Sequence, residues 1–380
     1  MSNKFIDRER LAETFIQLCE IDSPSRDERG VADYLTELFT TLGAESVVED
    51  DSAKKTGANC GNLIVRFPGT VEKEPLFFAC HMDTVEPGRG VKVLRTGDAF
   101  TSRGNTVLGG DDKSGIAGLI ELVRVLNESN LPHGPLEILL TTCEEVGLLG
   151  AKSLDHSLVQ AKYGYALDST GIDRVIVGAP AANRLKVEVH GIAAHAGLNP
   201  EQGVSAFCLA ARAIADLRLG RLDEQSTANF GLIHGGVATN IVPDLITMEG
   251  EVRSHSPEKL EAYTKEIETT FRNVVRGWSA QSRNSRQPSV EITVEKEYPV
   301  MRLEDDEPVI GRVQQAGDAL GREIVFQVAG GGSDANIFNS YGLRTAIIAT
   351  GMDKVHTTDE CLDLKDLTSL TELLLAVVSV

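Results

Sequence analysis

Three short apolar runs constrain this chain more than any other feature: Leu76-Phe77-Phe78-Ala79-Cys80, Leu136-Glu137-Ile138-Leu139-Leu140 and Tyr163-Gly164-Tyr165-Ala166-Leu167. Their hydrophobicity is continuous rather than alternating, and each is too short for a helix. Strands of this kind are buried on both faces, which implies an α/β fold: a mostly parallel sheet with helices on both faces. Leu63-Ile64-Val65 has the same character, and a helix-like stretch from Ile116 to Leu126 falls between the first two runs. Ser25-Arg26-Asp27-Glu28 has capping-box spacing. It predicts the start of a helix that buries Val31, Tyr34, Leu35, Leu38 and Phe39 along one face and stops at Gly43.

The texture changes near Gly178-Ala179-Pro180. Alternating strands follow at Leu185–Val189, Ala228–Leu232, Ile246–Val252 and Val290–Val294, with helical patterns at Val204–Leu217 and Pro257–Val275. This β-α-β-β-α-β order is that of an α+β ferredoxin-like unit. Residues 180–294 are therefore expected to form an inserted domain that interrupts a discontinuous domain made of 1–179 and 295–380. In the latter, the first texture returns with a helix at Pro308–Leu320, strands at Ile324–Val328 and Thr345–Ala349, and a last helix through Leu367–Val378.

A formal charge of -19 argues against nucleic acid and anionic membrane surfaces as partners, since both would repel so acidic a body. No apolar run approaches the ~18 residues of a membrane span. The six cysteines are scattered without metal or disulfide-framework spacing, and no cleavable apolar leader follows Met1, so the expected location is the reducing cytoplasm.

Chemistry concentrates where the apolar runs end. His81-Met82-Asp83 follows the first run, Asp111-Asp112 opens a helix after Gly109-Gly110, Glu144-Glu145 follows the second run, Asp168 the third, and His356 lies beyond the strand ending near Ala349. Open α/β sheets place ligands at such strand ends. Taken singly, Asp111-Asp112 reads as a helix cap and Glu144-Glu145 as a solvated turn. Together, two imidazoles and several carboxylates form a donor set suited to zinc, manganese or cobalt. Two ions need a bridging carboxylate plus one or two terminal ligands each, and the counts here fit one bridge with one imidazole and one further carboxylate for each. That count leaves one carboxylate over for general acid/base work.

The motifs HMDTV (81–85), GGDDKSG (109–115), EEVGLLGAK (144–152), ALDS (166–169), HGIAAHAG (190–197), GGVATNIVP (235–243), GGGSDANIF (330–338) and VHTTDE (355–360) resemble, in order, those of the two-zinc exopeptidases. That family includes peptidase T, glutamate carboxypeptidase, succinyl-diaminopimelate desuccinylase and the aminoacylases, and the peptidase T branch is the most similar. The resemblance implies two divalent metal ions per chain, zinc first and manganese or cobalt as alternatives. Asp111 would bridge them, His81 and Asp168 would complete one site, and Glu145 and His356 the other. Glu144 would be the general base, Asp83 would orient His81 by accepting its second ring proton, and Asp112 would not be a ligand. His195 would steady the substrate's oxyanion, often across a dimer interface. Asn240 and Arg253, with the loop Gly330-Gly331-Gly332-Ser333-Asp334, would hold substrate. The segment between Asp83 and Asp111 is shorter than in peptidase T.

These readings predict a metal-dependent hydrolase of amide bonds in short peptides, an aminopeptidase of tripeptidase type, homodimeric through the inserted domain. In this scheme a metal-bridged water, deprotonated by Glu144 to hydroxide, attacks the carbonyl. An N-acyl-amino-acid deacylase, or a dipeptidase or carboxypeptidase of the same fold, is the nearest alternative. A non-catalytic metal- or ligand-binding paralogue is the alternative from another class.

Overall fold

The computed structural model describes residues 5–281 and 286–380. The chain divides into two compact units, one built from Met1–Gly178 with Met301–Val380 and the other from Ala179–Val300.

The first unit starts with helices α1 (Arg8–Cys19) and α2 (Arg29–Thr41), strand β1 (Ser46–Glu49), α3 (Ala53–Thr56), β2 (Leu63–Phe67), β3 (Leu76–His81), β4 (Val93–Thr96) and β5 (Ala99–Ser102). It continues with α4 (Gly110–Ser129), β6 (Leu136–Thr141), α5 (Leu149–Ser153), β7 (Tyr163–Ala166) and β8 (Arg174–Ala179). In the second unit come β9 (Ala181–His190), α6 (Ala206–Asp216), β10 (Gly220–Asp223), β11 (Ser226–Gly235), β12 (Leu245–Ser254), α7 (Pro257–Gln281) and β13 (Ser289–Tyr298). The chain then returns to the first unit through β14 (Met301–Arg302), α8 (Pro308–Leu320), β15 (Val325–Val328), α9 (Asp334–Ser340), β16 (Arg344–Ile348), β17 (Cys361–Asp363) and α10 (Leu364–Ser379).

The main sheet runs β1-β2-β6-β3-β7-β16-β8-β14, with β15 alongside β8. Its centre is parallel as expected: β6, β3, β7 and β16 all run the same way. The flanks are not, since β2 pairs antiparallel with β6 and β8 with β16. Every residue of β3 and β6 is buried, which requires cover on both faces and explains the unbroken apolar runs. A separate three-stranded sheet, β17-β5-β4, has no counterpart in the sequence reading. Its strands are three or four residues of mixed polarity and carry no apolar signal.

Ser25 and Glu28 correct another expectation. Helix α2 begins at Arg29, and its N-cap residue Glu28 makes no side-chain cap bond. Ser25 Oγ instead donates to Asp83 Oδ2 at 2.6 Å, and Glu28 Oε1 accepts the Cys143 N–H at 3.0 Å. Both capping-type residues serve the ends of neighbouring strands.

In the second unit the antiparallel order β10-β11-β12-β9-β13 contains the ferredoxin-like arrangement with β10 as an extra edge strand. One face packs Leu185, Val187, Val189, Met248 and Val252 against Leu209, Ala213, Ile267 and Phe271 of α6 and α7.

Candidate active site

Parallel strands β6, β3, β7 and β16 bring their C-terminal ends to one edge. His81 is the last residue of β3, Asp168 lies two residues beyond β7, and the loop from β16 to β17 carries His356. Glu144 and Glu145 are not the end of a strand: β6 stops at Thr141, Cys143 adopts φ +54°, and the two carboxylates sit in a turn. The turn, not strand alternation, sends them to different neighbours. Gly150 makes this turn possible, because a Cβ there would lie 2.1 Å from the Thr142 carbonyl oxygen. Asp111 and Asp112 have non-helical backbone angles at the start of α4 and are joined by a cis peptide.

Asp111 uses its two oxygens on different imidazoles. Oδ1 lies 3.0 Å from His81 Nε2 and Oδ2 lies 3.3 Å from His356 Nε2. The same His356 nitrogen is 3.0 Å from Glu145 Oε1. His81 Nδ1 lies 2.9 Å from the Asp83 backbone carbonyl and 3.6 Å from its carboxylate. The ring's nearest acceptor is thus the Asp83 carbonyl, and the carboxylate has other work. It accepts the N–H groups of Glu144 at 2.9 Å and Glu145 at 3.2 Å, and so fixes the turn that carries both.

The electrostatics follow from crowding. Removal from water, then the charge of Asp168, pushes the Glu144 carboxyl well above its ordinary range. Burial and then Asp111 do the same to Asp168. Asp111 moves down: burial opposes its charge, but hydrogen bonds from His356 and His81 outweigh it. His356, held by Asp111 and then Glu145, is pushed up to about 10. Burial disfavours a charged His81, yet Asp111 and Asp83 raise it well above the usual imidazole value.

This donor set has the chemistry and spacing of a divalent-metal site. His81, Asp111 and Glu145 offer ligand atoms that all lie within 4.8 Å of one another. Donors on a tetrahedral zinc, each about 2.1 Å from the ion, sit about 3.4 Å apart. The spacings of His356 Nε2 to Asp111 and Glu145 are close to that value. An Asp111 that addresses one imidazole with each oxygen has the disposition of a bridging carboxylate.

The remaining predicted residues have their own local settings. Ser333 is buried, and its hydroxyl accepts the Ala335 N–H as the N-cap of α9. Gly332 precedes it. In the second unit, His195 Nδ1 accepts the N–H groups of Gly197 and Leu198, both at 3.2 Å, which leaves Nε2 to carry the proton of the neutral ring. His195 pairs with Ile241, and Ala196 N donates to the Asn240 carbonyl at 2.9 Å, so these two loops are neighbours. Arg253 is not with them. It pairs with Ala182 near the far end of β12, whose first residue Leu245 pairs with His190. Eight residues at ~3.4 Å each separate the two ends by roughly 27 Å. Arg253 forms an ion pair with Glu251 at 2.9 Å.

Sequence reasoning took Asp334 only as the last residue of the glycine-rich loop read for substrate binding and gave it no role of its own. It lies in the cavity wall with His81, Asp112 and Asp168. Its Oδ2 accepts a hydrogen bond from Thr141 Oγ1 at 2.5 Å, while Oδ1 is buried with no hydrogen-bond partner among the described residues. Burial lifts its carboxyl to about 6. The available signal was an acid directly after a glycine-rich loop and opening a helix, which reads as an ordinary first-turn charge.

The fold and this edge define a class of proteins, the two-metal hydrolases built on a strand-end carboxylate and imidazole cluster. Residues 77–379 match peptidase family M20/M25/M40, and the chain belongs to that family. It is 38% identical over 374 residues to the uncharacterized protein YqjE of Bacillus subtilis, covering 98% of each chain. Peptidase T of Escherichia coli is 26% identical over 280 residues, which span 73% of this chain and 66% of that protein. Among solved structures, aminopeptidase PepT from Bacillus cereus superposes with TM-score 0.89 at 39% identity over 99% of both chains. A tripeptidase from Staphylococcus aureus does so with TM-score 0.92 at 37% identity, covering 99% of this chain and 98% of its own.

Proposed function

We propose that this chain is an aminopeptidase that releases the N-terminal residue of short peptides, tripeptides among them, with two divalent metal ions held by His81, Asp111, Glu145, Asp168 and His356. The observation that carries the reading is Asp111, whose two oxygens face two different imidazoles at 3.0 and 3.3 Å. Bound there, the ions would polarise the scissile carbonyl and acidify a water. Zinc is the first candidate for this N/O donor set, with manganese and cobalt as alternatives.

Glu144 is free of the imidazoles that hold Asp111 and Glu145. Its upward-shifted carboxyl suits a group that takes a proton from the attacking water and returns it to the departing nitrogen. Asp83 holds the backbone of Glu144 and Glu145, so base and ligand stay in register. His195, with its proton on Nε2, is suited to donate to the oxygen that gains charge. The Arg253 guanidinium matches a peptide's terminal carboxylate, while Asn240 and the Gly332-Ser333 loop would offer polar contacts.

A short peptide cannot touch both ends of β12, which supports a homodimer in which the inserted domain of each chain completes the other's site. The surface of that domain supports it as well. Beyond Ala228, β11 has no strand on its outer edge among the described residues. Leu232 and Ile233 on that stretch are more than half exposed. An unpaired strand edge beside exposed apolar side chains is a template for a second copy. Four of the six cysteines are buried as free thiols, which supports a reducing, cytoplasmic setting.

A panel of tripeptides, dipeptides and N-acetyl amino acids tests the reading. Release of the N-terminal residue from peptides with a free amine is expected; exclusive deacylation of the N-acetyl compounds would replace the aminopeptidase with a deacylase. Metal binding without hydrolysis of any member would make the chain a non-catalytic paralogue.

A further inference from the structure

Glu360 ends the VHTTDE motif, yet neither the proposed ligand set nor the proton path uses it. It is 1% exposed, and both its oxygens are engaged by the loop that carries Asp111. Oε2 accepts the N–H groups of Leu108 at 2.7 Å and Gly109 at 2.8 Å, and Oε1 accepts that of Asp111 at 3.1 Å. These N–H groups lie in the buried approach to α4, whose N-cap, Gly109, has no side chain to satisfy them. An anion supplied by a different loop does the capping.

That loop also carries His356. Asp353 and Cys361 close its base with backbone hydrogen bonds of 3.0 and 3.1 Å, and Glu360 N donates to the Thr357 carbonyl at 3.2 Å. From Cys361 the chain enters β17, which pairs with β5 and anchors the loop in the small sheet. Asp111 is therefore gripped twice by one loop, through its backbone by Glu360 and through its side chain by His356.

The geometry points to Glu360 as a positioning residue that locks the bridging Asp111 to the His356 loop and thereby sets the affinity of the metal site that His356 and Glu145 complete. The inference rests on the two-metal reading above. A carboxylate that must reach two ions tolerates little displacement, and residues that hold metal ligands in place typically govern affinity by 10–100-fold. Glu360→Gln keeps the size of the side chain but puts an NH₂ donor against backbone N–H donors. Gly110→Ala perturbs the same contact from the opposite side, because its Cβ would lie 3.1 Å from Glu360 Oε1.

The test is a stepwise Co²⁺ titration of the metal-stripped full-length chain, wild type and both variants, read by calorimetry and by the cobalt absorption bands. Native-like circular dichroism is checked first. We expect two binding steps in the wild type. In Glu360→Gln the first step should be retained and the second weakened about 10–100-fold, with Gly110→Ala shifted in the same direction by less. Turnover lost at limiting Co²⁺ should return at saturation. A second step unchanged in a folded variant, or both steps weakened equally, would overturn the inference and reduce Glu360 to a structural cap. If Glu360→Gln does not fold, Gly110→Ala decides by the same criterion. A wild type with a single step would instead refute the two-metal reading itself, and this inference with it.

Discussion

His81 and Asp111 are 30 residues apart and His356 and Glu145 are 211 apart, yet each pair meets at 3.0 Å. Arg253 lies near the C-terminal end of β12, while Asn240 comes five residues before the strand's first residue, Leu245. The first unit gathers distant residues because parallel strands deliver every C-terminal end to one edge. The second unit spreads nearby residues because an antiparallel strand is a ruler. The proposed dimer would let a site draw on both ends of that ruler, and four changes probe the contrast.

The largest effect is expected in the first unit. Glu144→Gln should lower kcat by about 10²–10⁴ while metal content by elemental analysis stays as in the wild type. Loss of metal together with turnover would make Glu144 a ligand instead. In the second unit, His195→Ala should lower kcat by about 10²–10³. Mixing this variant with Glu144→Gln under subunit-exchange conditions should restore turnover, since one site of each mixed dimer is then intact. No recovery, in a mixture shown to exchange, would place His195 on its own chain's substrate.

Leu232→Asp on the open edge of β11 should shift sedimentation from dimer to monomer and reduce turnover in parallel, by no more than His195→Ala does. A fully active monomer would break the comparison outright. The smallest effect concerns Asp334. Its folded carboxyl sits at about 6 against an ordinary 3.8, so folding favours the protonated form. The stability it contributes is present below about pH 3.8 and is lost as pH rises through about 6. In the metal-stripped chain, Asp334→Asn should flatten the fall in melting temperature over that window; an unchanged slope would remove Asp334 from the balance.

Much of this was legible before the structure. Unbroken apolar runs announced β3, β6 and β7, and the acids and imidazoles just beyond them marked the strand ends. The alternation of β9, β12 and β13 identified the second kind of sheet. What escaped lacks a local signature. Strands β4, β5 and β17 are too short and too polar to show a period. Ser25 and Glu28 mimic a helix cap in sequence but reach across to Asp83 and Cys143. Glu360 and Asp334 each look like a solvated acid near a turn, and only burial reveals otherwise. Residues that hold a site in place from a second loop are set by three-dimensional proximity, which spacing along the chain does not encode.

The central claim is that Asp111 stands between two metal ions at the strand edge. Anomalous diffraction from crystals of the zinc-loaded chain tests it directly. The account predicts two peaks about 3.5–4 Å apart on either side of the Asp111 carboxylate, one near His81 and Asp168 and one near Glu145 and His356. A single peak at full zinc occupancy, or a pair that leaves Asp111 unbound, would contradict it.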